Sequence, residues 1–309
     1  MFESFTVTFS QVFVLFVFIA IGYTLKAKKI LPEDFGKGIS SLLVYIFLPF
    51  MTFNSMSANF RLNVLAEKID LIIVSSAMLA VFVLIAFVFS RILSKSQQTR
   101  DVYMYSFTFP NSGYFGNPVV LAIYGELMLF DYMIFCIPFF VLTYTFGVYI
   151  LNPDRSFSLK NLLNPTMVAM LLGMLAGALN IKMPPVAVDI ITSGASCMAP
   201  SAMILTGVVF ASRSLKNVVN NIKVYIACII KMIILPLIVT FVLASTSVPH
   251  DLSVIIIIML TLPTGLNSIV FPEAHGGDSL TGAQMCFVST ILCLLFMPAM
   301  LALYQGLIA

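Results

Sequence analysis

Two stretches of this sequence set prolines and glycines next to side-chain amides and hydroxyls. They are Pro110-Asn111-Ser112-Gly113, followed by Gly116-Asn117-Pro118, and Pro263-Thr264-Gly265-Leu266-Asn267, followed by Pro272. Each lies in the middle of an apolar run of membrane-spanning length, at 101–125 and 252–276. Proline lacks the backbone donor and clashes with the preceding turn, and glycine weakens helix preference, so both runs are expected to unwind at their centres. An unwound centre leaves the N-terminus of a second half-helix, whose free N–H groups and dipole amount to about +0.5 of a charge. Two such ends facing each other make an anion site that needs no arginine. Asn111 and Asn267, just past their prolines, could donate amides to a carboxylate, and Ser112 and Thr264 could add hydroxyls. The alternative is that Asn111, Asn117 and Asn267 only satisfy backbone groups released by the prolines, Asn117 by capping the half-helix that Pro118 opens. In either case Pro110, Pro118, Pro263, Gly265 and Pro272 shape the two breaks.

Lys231, Glu273 and His275 are ionisable residues inside apolar runs. Lys231 lies about 11 residues into its run, some 16 Å along a helix. It either snorkels to the cytoplasmic face or pairs inside the protein, where it could lend positive charge to the anion site. Glu273 and His275 form a close acid–imidazole pair past the second break, a candidate for proton coupling; a solvated position near the membrane surface is the alternative. Asn54, beyond Pro49, could face a substrate from another helix. Tyr114 and Phe115 read as packing residues. The five cysteines, Cys136, Cys197, Cys228, Cys286 and Cys293, lie in apolar runs without C-x-x-C spacing and read as small buried hydrophobes. No metal or cofactor is expected.

The elements that hold these residues must be membrane helices. The chain of 309 residues is 60% hydrophobic and 9% charged, with a mean hydropathy of +1.06, whereas a soluble domain carries about 25% charged residues. Its net charge of +3 gives no reason to expect nucleic acid as a partner. The first apolar run is too long for a cleaved leader and is followed by Lys26, Lys28 and Lys29, so it reads as a span. Ten spans are expected, near 5–25, 35–56, 70–92, 102–125, 128–151, 165–181, 186–211, 220–244, 252–275 and 282–306.

Charge orients them. Twelve basic residues lie on one side: Lys26, Lys28, Lys29, Lys37, Arg91, Lys95, Arg100, Arg155, Lys160, Arg213, Lys216 and Lys223. The other side has Arg61, Lys68 and Lys182. Basic loops mark the cytoplasm, which places both termini outside, in a plasma membrane. Proline and glycine positions recur across the halves: Gly22 and Gly173 are 151 apart, Pro49 and Pro200 also 151, Pro110 and Pro263 153, Pro118 and Pro272 154. Five spans per repeat is odd, so two repeats, 1–151 and 165–309 joined by a cytoplasmic connector at 152–164, must be inverted with respect to each other.

Over essentially its whole length the chain resembles the auxin efflux carrier family, which includes bacterial malonate and malate carriers and plant PIN-type auxin exporters. The resemblance is carried by Phe47-Leu48-Pro49, by Asn111-Ser112-Gly113-Tyr114-Phe115-Gly116-Asn117-Pro118, by Asn164-Pro165 and by Pro263-Thr264-Gly265-Leu266-Asn267. It implies an all-α, ten-helix fold in which broken spans four and nine cross. It also implies a scaffold of spans one, two, six and seven, through which two copies could pair, and a moving unit of the remaining spans. The short connector, Asn152 to Asn164, is similar to the bacterial-type carriers rather than the plant exporters.

Enzyme signatures such as H-E-x-x-H, G-x-S-x-G and Walker A are absent, and no nucleotide-binding domain fits in the chain. The expected function is secondary transport of small organic anions, mono- or dicarboxylates such as malonate, malate or auxin-like acids. Two other readings stay open: a cation-coupled symporter of the bile-acid-transporter type, and a membrane carboxylate receptor that does not transport. Moving one charge through 100 mV is worth about 2.3 kcal/mol, so an inside-negative potential alone would drive export of a monoanion.

Overall fold

The computed structural model describes residues 2–61, 67–152, 163–212, 219–275 and 277–308, with the side chains at 2–4 and 273–275 outside that description. Arg155, Lys160, Arg213, Lys216 and most of the 152–164 connector also lie outside the described residues. Among those described, every regular element is a helix.

In chain order these are α1 (Phe2–Ala27), α2 (Phe35–Asn59), α3 (Ile69–Leu93), α4 (Gln97–Thr108), α5 (Ser112–Phe135) and α6 (Ile137–Leu151). They are followed by α7 (Pro165–Ala178), α8 (Pro185–Ala211), α9 (Ile222–Ala244), α10 (His250–Thr261), α11 (Asn267–His275) and α12 (Ser279–Ile308). Seven of them, α1, α2, α3, α5, α8, α9 and α12, are long and apolar enough to cross a membrane. The other apolar helices, α6, α7 and α10, are shorter. The seven differ from the ten expected spans at three places: α6 and α7 are shorter than a span, and the 252–275 run is divided between α10 and α11, each below spanning length. The 102–125 run is divided too, between α4 and α5, but α5 continues to Phe135 and keeps spanning length. The expected boundary near 125 is a sharp kink inside α5, where Gly125 has φ 79° and ψ −171°, a backbone conformation that suits glycine.

Local chemistry explains the irregular turns. Among the described residues four helices widen into a π-turn, and three of these turns stop two residues before a proline: Leu43–Phe47 before Pro49, Ser112–Gly116 before Pro118, and Ile230–Ile234 before Pro236. A proline inside a helix supplies no N–H and crowds the carbonyl one turn back. One extra residue in that turn relieves the crowding while the helix continues.

Helices α1, α2, α7 and α8 pack as a group, α1 on α8 and α2 on both α7 and α8. Glycines set these contacts. A Cβ on Gly22 or Gly207 would run into the carbonyl of Ile204 or Ile19, and one on Gly173 would come within 2.9 Å of the Phe53 carbonyl oxygen. Backbones therefore touch at both crossings, as small residues allow in membrane helices. Around the breaks, α3 packs on α4, while α9, α10 and α11 all pack on α12. The cysteines depart from expectation at one place: Cys197, at a turn within α8, is exposed, whereas the other four are buried.

Candidate functional site

The two breaks meet. Pro110 and Thr264 form an isolated antiparallel bridge, with the Asn111 N–H donating to the Pro263 carbonyl (2.8 Å) and the Gly265 N–H to the Phe109 carbonyl (3.3 Å). Chain that has left the helix thus satisfies its polar groups against the other break, as burial at bilayer depth demands. Pro110 and Pro263 fit because each lends only its carbonyl or its ring to the junction.

Beyond each break a helix restarts. In α5 the Asn111 carbonyl accepts the N–H groups of Phe115 (3.2 Å) and Gly116 (2.9 Å), while the Ser112 N–H turns back to Pro110 (2.8 Å). In α11 the Gly265 carbonyl accepts the Ser268 N–H (3.0 Å) and its hydroxyl (2.8 Å). No protein acceptor among the described residues takes the backbone N–H groups of Gly113 and Tyr114 in the first restart, or of Leu266 and Asn267 in the second. These are the orphan donors that every helix start leaves.

All four of those residues line one cleft, with Pro110, Asn111, Ser112, Tyr105, Tyr144, Phe140, Thr143 and Gly265. Its wall is completed from the other helix group by Leu48 of α2 and Thr166 of α7. Counted to its open mouth the cleft holds about 470 Å³. Among the described residues no acidic side chain lines it, so four backbone donors, the Asn111 and Asn267 amides and several hydroxyls converge there. The Tyr105 hydroxyl lies beside the Asn267 side chain.

Other expected residues stand elsewhere. Thr264 is fully buried behind the cleft wall: its N–H donates to the Ser289 hydroxyl (2.9 Å) and its own hydroxyl lies 3.4 Å from the Lys231 ammonium. Asn54 is half-buried and outside the lining; Leu48 and Thr166 take the place expected of it. Asn117 makes no capping bond, because its helix has already restarted at Ser112, and its Oδ1 has no partner among the described residues. Pro118 is buried in the first α-helical turn of α5. Pro272 sits inside α11, where its carbonyl accepts the Gly277 N–H (2.7 Å). The Glu273 and His275 side chains lie outside the described residues.

Lys231 does not snorkel. It is 5% exposed on the π-turn of α9, and its ammonium donates to the Leu262 carbonyl (3.3 Å) as well as meeting Thr264. It continues the buried face of Val224, Ala227 and Cys228 at ordinary helical spacing, which is what turns it inward. Tyr114, read as packing, lines the cleft, whereas Phe115 is buried edge-on against Phe16, with ring centroids 6.2 Å apart.

A family model described as "Membrane transport protein" matches residues 7–157 and 145–301, nearly the whole chain. No curated protein sequence matches it.

Proposed function

This chain belongs to the auxin efflux carrier family of membrane transport proteins, and we propose that within it the protein is a secondary transporter of small organic anions, mono- or dicarboxylates such as malonate or malate. One observation carries this reading. Four backbone N–H groups without acceptors among the described residues (Gly113, Tyr114, Leu266, Asn267) converge with the Asn111 and Asn267 amides on a cleft that no described acidic side chain lines. A carboxylate is the ligand that matches such a donor set, since hydrogen bonds to an ionised acceptor are the strong ones. Ser112 and the hydroxyls of Tyr105, Thr143 and Tyr144 would then read the remainder of the molecule.

The mechanism follows from where the cleft lies. Its floor belongs to the paired breaks, and one wall, Leu48 and Thr166, belongs to the group of α1, α2, α7 and α8. In an elevator-type movement the paired breaks would carry the anion past that fixed wall. The proposed frame is ten spans in two inverted repeats, 1–151 and 165–309, with both termini outside. It is supported by the helix contacts: Gly22 meets Ile204 and Gly173 meets Phe53, and 151 residues separate Gly22 from Gly173 and likewise Phe53 from Ile204.

Flux into sealed proteoliposomes tests the proposal. Labelled malonate should exchange with internal malonate and respond to an imposed potential, and unlabelled small carboxylates should compete. Saturable binding without any movement of label into the vesicles would leave a receptor in place of a transporter.

A further inference from the structure

The ammonium of Lys231 has an unusual position for a charge at bilayer depth. Among the described residues the one ion pair joins Lys68 to Asp131 (2.6 Å), and Lys231 has no carboxylate within reach. Its polar contacts are the Leu262 carbonyl (3.3 Å) and the Thr264 hydroxyl (3.4 Å), and its other neighbours include Cys228, Cys286 and Cys293. A buried charge is costly and persists where something compensates it. Here the compensation is the carbonyl end of α10, which stops at Thr261 and leaves Leu262 as its cap. That end carries the negative pole of the helix dipole. Without a cation it would point at the same junction where the starts of α5 and α11 present their positive poles, and it would weaken the field on an anion in the cleft.

The arrangement is one-sided. The breaks are 153 residues apart, and the same interval before Lys231 falls in Ala77-Met78-Leu79-Ala80 of α3, an apolar stretch. The ammonium is therefore a feature of the second break alone. A carbonyl and a hydroxyl offered to one positive charge are also the oxygen donors that a bare alkali cation would take.

We propose that Lys231 is a tethered counter-cation: its ammonium fills, from within the chain, a monovalent-cation position behind the second break, and so frees anion binding from any need for sodium or potassium. This rests on the anion-transport reading above. The ammonium reaches the ligand only through Thr264, whose bridge partner Pro110 lines the cleft, so Lys231 is a positioning residue and touches no substrate.

The test uses purified full-length protein in detergent, malonate as the probe, and sodium, potassium or choline chloride at equal ionic strength. Melting temperature in the same salts without malonate is a second readout. The wild type should bind malonate equally in all three salts and melt at one temperature. Lys231→Ala opens space between the Leu262 carbonyl and the Thr264 hydroxyl. It should bind malonate at least tenfold more weakly in choline, regain most of that in sodium or potassium, and melt higher in those two salts. Lys231→Met fills the space without charge and should lose at least tenfold in every salt. Wild-type affinity in Lys231→Met, or a Lys231→Ala protein indifferent to metal cations in both readouts, would overturn the proposal. So would cation-dependent binding by the wild type, a measurement that stands even if neither variant folds. A wild type that binds no carboxylate in any salt counts against the transport reading instead, and the melting response of Lys231→Ala then still decides on the cation position.

Discussion

Replacing Asn111 or Asn267 by alanine separates the anion-binding role of these amides from a purely structural one. Asn111 is 4% exposed, yet its contribution to the fold is through its backbone. The N–H holds the Pro263 carbonyl at 2.8 Å, and the carbonyl takes two N–H groups of the restarting helix. Alanine keeps all three bonds, so the junction should persist in Asn111→Ala with a nearly unchanged melting temperature. What alanine removes is one donor to a charged ligand, worth about 1.5–3 kcal/mol, or roughly 10- to 150-fold in dissociation constant. Asn267→Ala should lose a similar factor in affinity, but it also strips the Tyr105 hydroxyl of its neighbour. A buried hydroxyl left without a partner costs about 1–3 kcal/mol, so this variant should also melt lower. Titration calorimetry with malonate, alongside thermal unfolding, reads both quantities, and Lys95→Ala serves as a control outside the cleft. Wild-type dissociation constants in both asparagine variants would refute the reasoning and leave these residues a structural role only.

Three further outcomes are expected. Pro110→Ala and Pro263→Ala restore an N–H and remove a ring clash, so a continuous helix competes with the break; malonate affinity should fall more than melting temperature, whereas Pro49→Ala should chiefly change stability or transport rate. Leucine at Gly22 or Gly173 would push apart backbones in contact and should lower stability by about 1–3 kcal/mol or more, while Gly38→Ala, which meets nothing within 4 Å, should leave the melting temperature unchanged. Single cysteines placed at Lys95 and Lys216 of a cysteine-free protein should label only from the cytoplasmic side and those at the termini only from outside; termini on opposite faces would sink the even number of spans and the inverted repeats.

The sequence made the breaks legible because proline and glycine act locally: Pro110 and Pro263 are each followed within three residues by glycine and short polar side chains, and together these disfavour a regular turn. It could also name Asn111 and Asn267, whose amides stand just past those prolines. It could not name Gly113, Tyr114 or Leu266, since a free backbone N–H is a property of position in the turn and not of residue type. The far wall was misassigned for a related reason. Asn54 has the right chemistry on the right helix, but Leu48 and Thr166 face the cleft, and facing depends on helix rotation. For Lys231, distance along the run gave depth alone and left both directions open; the buried face of Val224, Ala227 and Cys228, which it continues at ordinary helical spacing, is what decides for the interior.

The bridge between the breaks also constrains how the molecule is made. Pro263 leaves the ribosome 153 residues after Pro110, about 8–30 s later at ordinary synthesis rates of about 5–20 residues per second. Throughout that interval the first break is already in the chain, while the carbonyl that takes the Asn111 N–H does not yet exist. A polar group left bare in hydrocarbon costs several kcal/mol, so the first half cannot settle in the bilayer in its final form. It must wait against the insertion machinery, or pass its unwound segment through a temporary helical or shielded state, until the second half arrives. Biogenesis of this protein is therefore a rendezvous between two distant segments, and a pause in synthesis between α5 and α10 should harm its yield more than the same pause after α11.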